Sequence, residues 1–290
     1  MNLLRLRVVL AAIELDEAAV TTLRTAIGLA AAAGARLDIV HVTHGAQSAE
    51  TKARTERAVH SLLGRADVEA HNTPLHVLSG EPANAIRMLA DKLGADVIVL
   101  GPHQRKADAG GALGSTALAI VTTSWAPCLV VAQTMRLPIE RVLVPLDRSD
   151  TARGALVVAL SWASALRGQQ SAGDAGVHLM AVHADQSAAS GEGRSEIARQ
   201  MEADLAPVRA DAGSWAGVAI DSPDVVSGEP ASVIADYAIQ HSVDLVVLGT
   251  RGLGLDSVGR LGSVSAEVAR RLEIPTLLVP PAVWQTHAKA

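Results

Sequence analysis

The stretch Leu245-Val246-Val247-Leu248-Gly249-Thr250-Arg251-Gly252, followed nine residues later by Gly262-Ser263, decides how this chain folds. The apolar run at 245–248 has no polar alternation, as a strand buried on both faces of a parallel sheet requires. Gly249 and Gly252 reach backbone angles closed to other residues and leave no Cβ between backbone N–H groups and an anion. Gly262 and Ser263 open a helix, whose free N–H groups and positive dipole end suit a phosphate. The Ser263 hydroxyl is placed to cap that helix or to bond a phosphate oxygen. Arg251 and Arg260 are the nearby cations.

A second copy lies 148 residues upstream, where Gly101, Gly114 and Ser115 keep their places and Gln104 replaces the middle glycine. The same offset relates Ser79-Gly80-Glu81-Pro82 to Ser227-Gly228-Glu229-Pro230, and Pro127–Val131 to Pro275–Val279. Earlier segments align at 133, where Arg141–Asp147 matches the region ending at Glu14, so the second half carries about fifteen extra residues before its third strand. The Gly168–Gly173 stretch reads as part of that insertion, a surface loop. The chain is a duplication, with residues 1–134 and 140–290 as two domains and Met135–Ile139 as the linker.

In the second half the pattern predicts strands near 140–147, 177–183, 222–227, 243–248 and 276–280, and helices near 150–167, 193–209, 230–241 and 262–273. Five strands alternating with four helices predict an α/β fold, a doubly wound open parallel sheet of the Rossmann-like or flavodoxin-like kind in each half. Ligands in such sheets bind at the carboxyl ends of the strands, where the glycine loop sits.

Composition narrows the chemistry. The 290 residues are 49% hydrophobic and 19% charged, with formal net charge −5, which is an ordinary globular balance. There is no Lys/Arg excess, and only Lys289 lies beyond Lys106, which argues against nucleic acid as a partner. No apolar run approaches the roughly 20 residues that span a bilayer, and no signal peptide is evident, so the expectation is a cytoplasmic protein without a membrane partner. The lone Cys128 excludes an internal disulfide and reads as a core thiol. No Gly-Lys pair exists for a Walker loop, and Ser257 stands where the third glycine of a dinucleotide fingerprint belongs.

Together these motifs resemble the universal stress protein family in tandem form, across nearly the whole chain. The family's G-x2-G-x9-G-[S/T] element is Gly249/Gly252/Gly262/Ser263; its acid ending the first strand is Asp147; its closing strand is Pro275–Val279. The resemblance implies an ATP site in which Pro145, Leu146 and Asp147 hold the nucleoside end and Val182 lines the adenine pocket. Leu248, Gly249, Thr250, Arg251, Gly252, Gly262, Ser263, Val264 and Ser265 would then hold ribose and phosphates, with Mg2+ accompanying the nucleotide and no metal held by side chains. It also implies pairing through the last strands, 128–132 and 276–280, and homodimerisation. In the first half, Glu14, Gly101, Gly114, Ser115 and Thr116 form a weaker version, departing from the pattern at Glu14 and Gln104.

Two function classes follow. One is an ATP-binding regulatory protein of the stress response, with the nucleotide mainly in the second half and the first half a weak binder or structural partner. The other is a slow nucleotide hydrolase or phosphoryl- or nucleotidyl-transfer enzyme of the same architecture. The loop offers no general base, catalytic lysine or nucleophile with a base partner, which favours binding over turnover. Asp147 reads either as a ligand contact or as a stabiliser of the following helix with Ser149 and Asp150. His41, His44 and His183 lack companion ligands at metal spacing and read as solvated strand-end residues.

Overall fold

The computed structural model describes residues 5–43, 45, 48–66, 73–101, 113–168, 176–186, 191–215, 217–252 and 261–281. The first half runs β1 (Val8–Ala12), α1 (Ala18–Ala33), β2 (Arg36–Thr43), α2 (Ala49–Arg65), β3 (Leu75–Ser79), α3 (Pro82–Leu93), β4 (Val97–Leu100), α4 (Ser115–Thr123) and β5 (Cys128–Val130). The second runs β6 (Arg141–Pro145), α5 (Asp150–Leu166), β7 (Val177–Asp185), α6 (Gly191–Ala210), β8 (Val218–Ile220), β9 (Asp224–Ser227), α7 (Pro230–Gln240), β10 (Leu245–Gly249), α8 (Ser263–Arg271) and β11 (Thr276–Val279). The third strand expected at 222–227 is two short strands, both paired with β7, after a 3-10 turn at Ala212–Trp215.

All strands belong to one sheet, ordered β3-β2-β1-β4-β5-β11-β10-β6-β7-β8, with β9 also on β7. Pairing is parallel within each half and antiparallel at the seam, where Leu277 lies opposite Leu129 and Leu278 opposite Cys128. The last strands thus join the two halves within one chain, as the resemblance implies. The strand register also locates the insertion. Leu37 and Leu179, opposite Val9 and Val142, align at offset 142, so nine of the extra residues precede β7 and the other six lie between β7 and β9.

The apolar strand runs serve two faces. On one, Val97, Val99, Val142 and Val144 pack beneath α1, α2, α5 and α6, with Leu23, Leu29, Leu160 and the buried Trp162 filling the space between. On the other, Leu10, Ile98, Leu143, Val246 and Leu278 pack beneath α3, α4, α7 and α8. Each core is continuous across the seam, and the segment 135–139 is packed into the first of them: Met135 and Ile139 are buried, and Leu137 lies against Gly28. Cys128 is buried at the seam, and desolvation pushes its thiol up to about 12.

The repeated Ser-Gly-Glu-Pro is a structural device. Gly80 and Gly228 take φ of 122° and 146°, and the following glutamate caps a helix opened by proline. Glu81 accepts from the Ala83 and Asn84 N–H groups at 3.0 and 2.7 Å, and Glu229 from Ala231 and Ser232 at 3.1 and 2.8 Å. Each half has its strand order 3-2-1-4-5, so β1 and β4, or β6 and β10, are neighbours whose chains leave in opposite directions. A crevice opens at the carboxyl ends of such a pair.

Candidate functional site

In the second half the chain continues past β6 in extended form, because the Leu146 N–H donates to the Val182 carbonyl at 2.9 Å. The Leu146 carbonyl accepts from His183 Nδ1 at 2.6 Å. These bonds hold the peptide just before Asp147. The turn then passes through Arg148 at φ 68°, and Ser149 caps α5 by accepting from Ala152 N–H. Asp147 Oδ1 accepts from the Ser149 N–H at 3.0 Å and hydroxyl at 2.5 Å, so it braces the cap residue rather than capping the helix itself. Asp147 Oδ2 is turned to the glycine loop: a Cβ added to Gly252 would lie 2.6 Å from it.

The loop is closed at its base. Thr250 is buried, donates its N–H to Val279 O at 2.9 Å, and accepts from Gly262 N–H at 2.8 Å. The Thr151 hydroxyl donates to Arg251 O, and Ser265 Oγ donates to Gly249 O at 2.7 Å. Gly249 itself faces α5, where a Cβ would meet the Thr151 carbonyl carbon and oxygen at 2.9 Å. Its lack of a side chain is therefore required by helix packing, independently of any ligand. Leu248 is buried within β10. Residues 253–260, including Arg260, lie outside the described residues.

Gly262 is the N-cap of α8, with no side-chain cap, so the helix begins at Ser263, an exposed residue, and continues through half-buried Val264. The same holds for α4 at Gly114, followed by exposed Ser115 and half-buried Thr116. By contrast α2, α3, α5 and α7 are capped by Ser48, Glu81, Ser149 and Glu229. The two glycine-loop helices leave first-turn N–H groups without that partner at the mouth of each crevice.

One site residue stands differently from its expected place. Val182 does not end its strand, since β7 continues to Asp185 by pairing with β9, and Val182 is 1% exposed in the core. The strand positions that reach the crevice are later, as the first half shows with His41, Val42 and Thr43.

In the first half Glu14, Gly101, Gly114, Ser115 and Thr116 all line one cavity of about 730 Å³. Its floor is apolar, with Ala12, Val42, Ile86, Leu100 and Ile120. A Cβ on Gly101 would meet the Thr22 hydroxyl at 2.4 Å, again on the helix after the first strand. Gln104 and His44 lie outside the described residues.

His41 and His183 are half-buried rather than solvated, each with Nδ1 on the carbonyl just before the acid, at 2.9 Å to Ile13 and 2.6 Å to Leu146. Their offset of 142, the same as that of β2 and β7, is the sequence signal of this common role. Thr151 and Thr22, which abut the first loop glycine, left no such signal. Among the described residues no three His, Cys, Asp or Glu stand together as a metal site, and no helix is long and apolar enough to cross a membrane.

The universal stress protein family model matches residues 5–132 and again 138–280. The chain belongs to the universal stress protein family. A universal stress protein of Thermus aquaticus is 36% identical over 143 residues, which covers 48% of this chain and 98% of that protein. A universal stress protein structure from Archaeoglobus fulgidus aligns over 96% of this chain and 97% of its own at TM-score 0.67 and 19% identity, a likeness of fold. A universal stress protein solved in complex with cAMP covers 49% of this chain at 28% identity and TM-score 0.36.

Proposed function

We propose that this chain is an ATP-binding regulatory protein of the stress response, acting in the cytoplasm as a homodimer, with the nucleotide held mainly by the second half. The observation that carries the reading is the opposition of Asp147 and Gly252 across the crevice between β6 and β10, above the uncapped start of α8. A carboxylate there suits ribose hydroxyls, and the Gly252 and Ser263 backbone suits phosphate oxygens. The reading takes residues 1–134 and 140–290 as two units with 135–139 between them.

Magnesium would travel with the phosphates. With no three-ligand cluster among the described residues, Asp147 is the carboxylate placed to assist, and a bound ion would neutralise phosphate charge. Arg251, whose carbonyl is pinned by Thr151, has its backbone fixed at the loop base while its side chain supplies the cation. The device needs no chemistry: occupancy ties the loop to the end of β6.

Calorimetric titration of the full chain with MgATP tests this. One equivalent bound, lost in Asp147→Asn, supports the reading, whereas two equal sites or none would reject it. Light scattering of the same sample measures the dimer.

A further inference from the structure

The first-half cavity differs from its counterpart in the wall that α2 supplies. The offset of 142 that relates Val40 to Val182 extends into the helices, where Val59 matches Met201 and Leu63 matches Leu205, all buried. On that register Arg54 corresponds to Glu196, Thr55 to Ile197, and Thr43 to Asp185. The second half thus carries acid or aliphatic residues where the first carries a guanidinium and hydroxyls. Glu196 is engaged with Arg199 on its own helix. Arg54 lines the cavity from an exposed position on α2, and among the described residues no carboxylate forms an ion pair with it.

We propose that the first-half cavity binds a small organic anion with an apolar body, oriented with its charge on Arg54 of α2 and away from the glycine-loop end. At about 730 Å³ it falls within the range of small-molecule pockets. Its apolar floor accepts a hydrocarbon or ring system. Thr43 and Thr51 also line it; the Thr43 hydroxyl donates to the Leu78 carbonyl at 3.1 Å and keeps its lone pairs, and the Thr51 hydroxyl is shared with Ser48, so the charge of the ligand falls to Arg54. Glu14 and Asp16, after β1, also line the cavity, and their carboxylates disfavour an anion beside them. Asp16 Oδ1 accepts from the Ala19 N–H at 3.1 Å. A triphosphate would instead need its charge at the loop where Gln104 replaces glycine. The inference goes beyond nucleotide binding by the second half and does not depend on it.

Paired fluorescent probes test it on the full chain: anilinonaphthalene sulfonate, and phenylnaphthylamine, which has the same rings without the charge. The sulfonate should bind saturably at one equivalent. Arg54→Glu should weaken it about tenfold, as loss of a charge-assisted contact predicts, while Arg54→Lys weakens it by only about threefold. The uncharged probe should bind both variants as it binds wild type, and Glu196→Arg should change neither probe. Ala117→Trp, which fills the cavity from α4, should weaken both. An Arg54→Glu variant that binds the sulfonate normally, or that loses both probes together, overturns the proposal. So does displacement of the sulfonate by MgATP, or indifference of both probes to Ala117→Trp.

Discussion

The crevice between β1 and β4 and the crevice between β6 and β10 are built on one plan, yet the same glycine is needed in each for a different neighbour. Gly101 makes room for a hydroxyl, that of Thr22, whereas Gly249 makes room for the Thr151 backbone. A hydroxyl can rotate away and a helix backbone cannot. The first loop glycine therefore reports helix packing in both halves, and carries little information about ligand. Residues that distinguish the two crevices lie elsewhere: Glu14 against Asp147, Gln104 against Gly252, Ala117 against Ser265, and Arg54 against Glu196. Retention of a motif and retention of a site are separate matters.

The packing contrast predicts the largest effect. Gly249→Ala should destabilise the chain by about 3 kcal/mol in urea unfolding, at the upper end for overpacking against rigid structure. Gly101→Ala should cost about 1 kcal/mol, with Thr22→Ala restoring most of it. Equal costs would mean that α1 and α5 yield alike, and the contrast would fail.

Next in size is the nucleotide effect. Gly252→Ala should push Asp147 aside and weaken ATP roughly thirtyfold, as expected for one lost charge-assisted hydrogen bond, with thermal stability little changed. The converse change, Gln104→Gly combined with Glu14→Asp, should raise ATP affinity of the first half by about fivefold, read as a second calorimetric transition. If ATP binding ignores both changes, the crevices do not differ in the way their residues suggest.

Glu229 gives a smaller effect. Its carboxyl is held below the ordinary glutamate value, first by the Ser232 N–H, then by the Ala231 N–H and the Ser232 hydroxyl, with Arg271 adding its charge. Glu229→Ala should cost about 1 kcal/mol near neutral pH, the usual worth of a helix cap. A depressed folded value means that the ionised form is the stabilising one. The advantage of wild type is therefore full above the ordinary glutamate range and disappears as pH falls through the lowered value. Unfolding of the two proteins across that acid range checks the sign. The least change is expected at Cys128. With its thiol pushed up to about 12 by burial at the seam, it should resist a disulfide reagent at mildly alkaline pH until the chain unfolds.

Much of this was legible because it is local or repeated. Gly-Glu-Pro states a positive φ, a cap and a first helical turn within three residues, and both copies fold that way. The apolar runs at 97–100 and 245–248 announced two covered faces, and both are covered. Where local pattern is weak, long-range pairing decides the element. The third strand of the second half is split, and Val182 lies inside a strand that a later neighbour, β9, prolongs. Strand ends are set by partners, and β9 lies some forty residues further along the chain.

The sequence by itself determined the duplication, the two glycine loops, the alternation of strands and helices, and the identity of the acid after each first strand. Each of these is a repeat, a spacing or a period. Only the tertiary structure decided that Asp147 faces Gly252, that Thr151 presses on Gly249 and reaches Arg251, and that Arg54 lines a cavity with the remnants of the first-half motif. Those contacts join residues from about forty to more than one hundred positions apart. No periodicity along the chain encodes them; the shared sheet and its two cores bring them together.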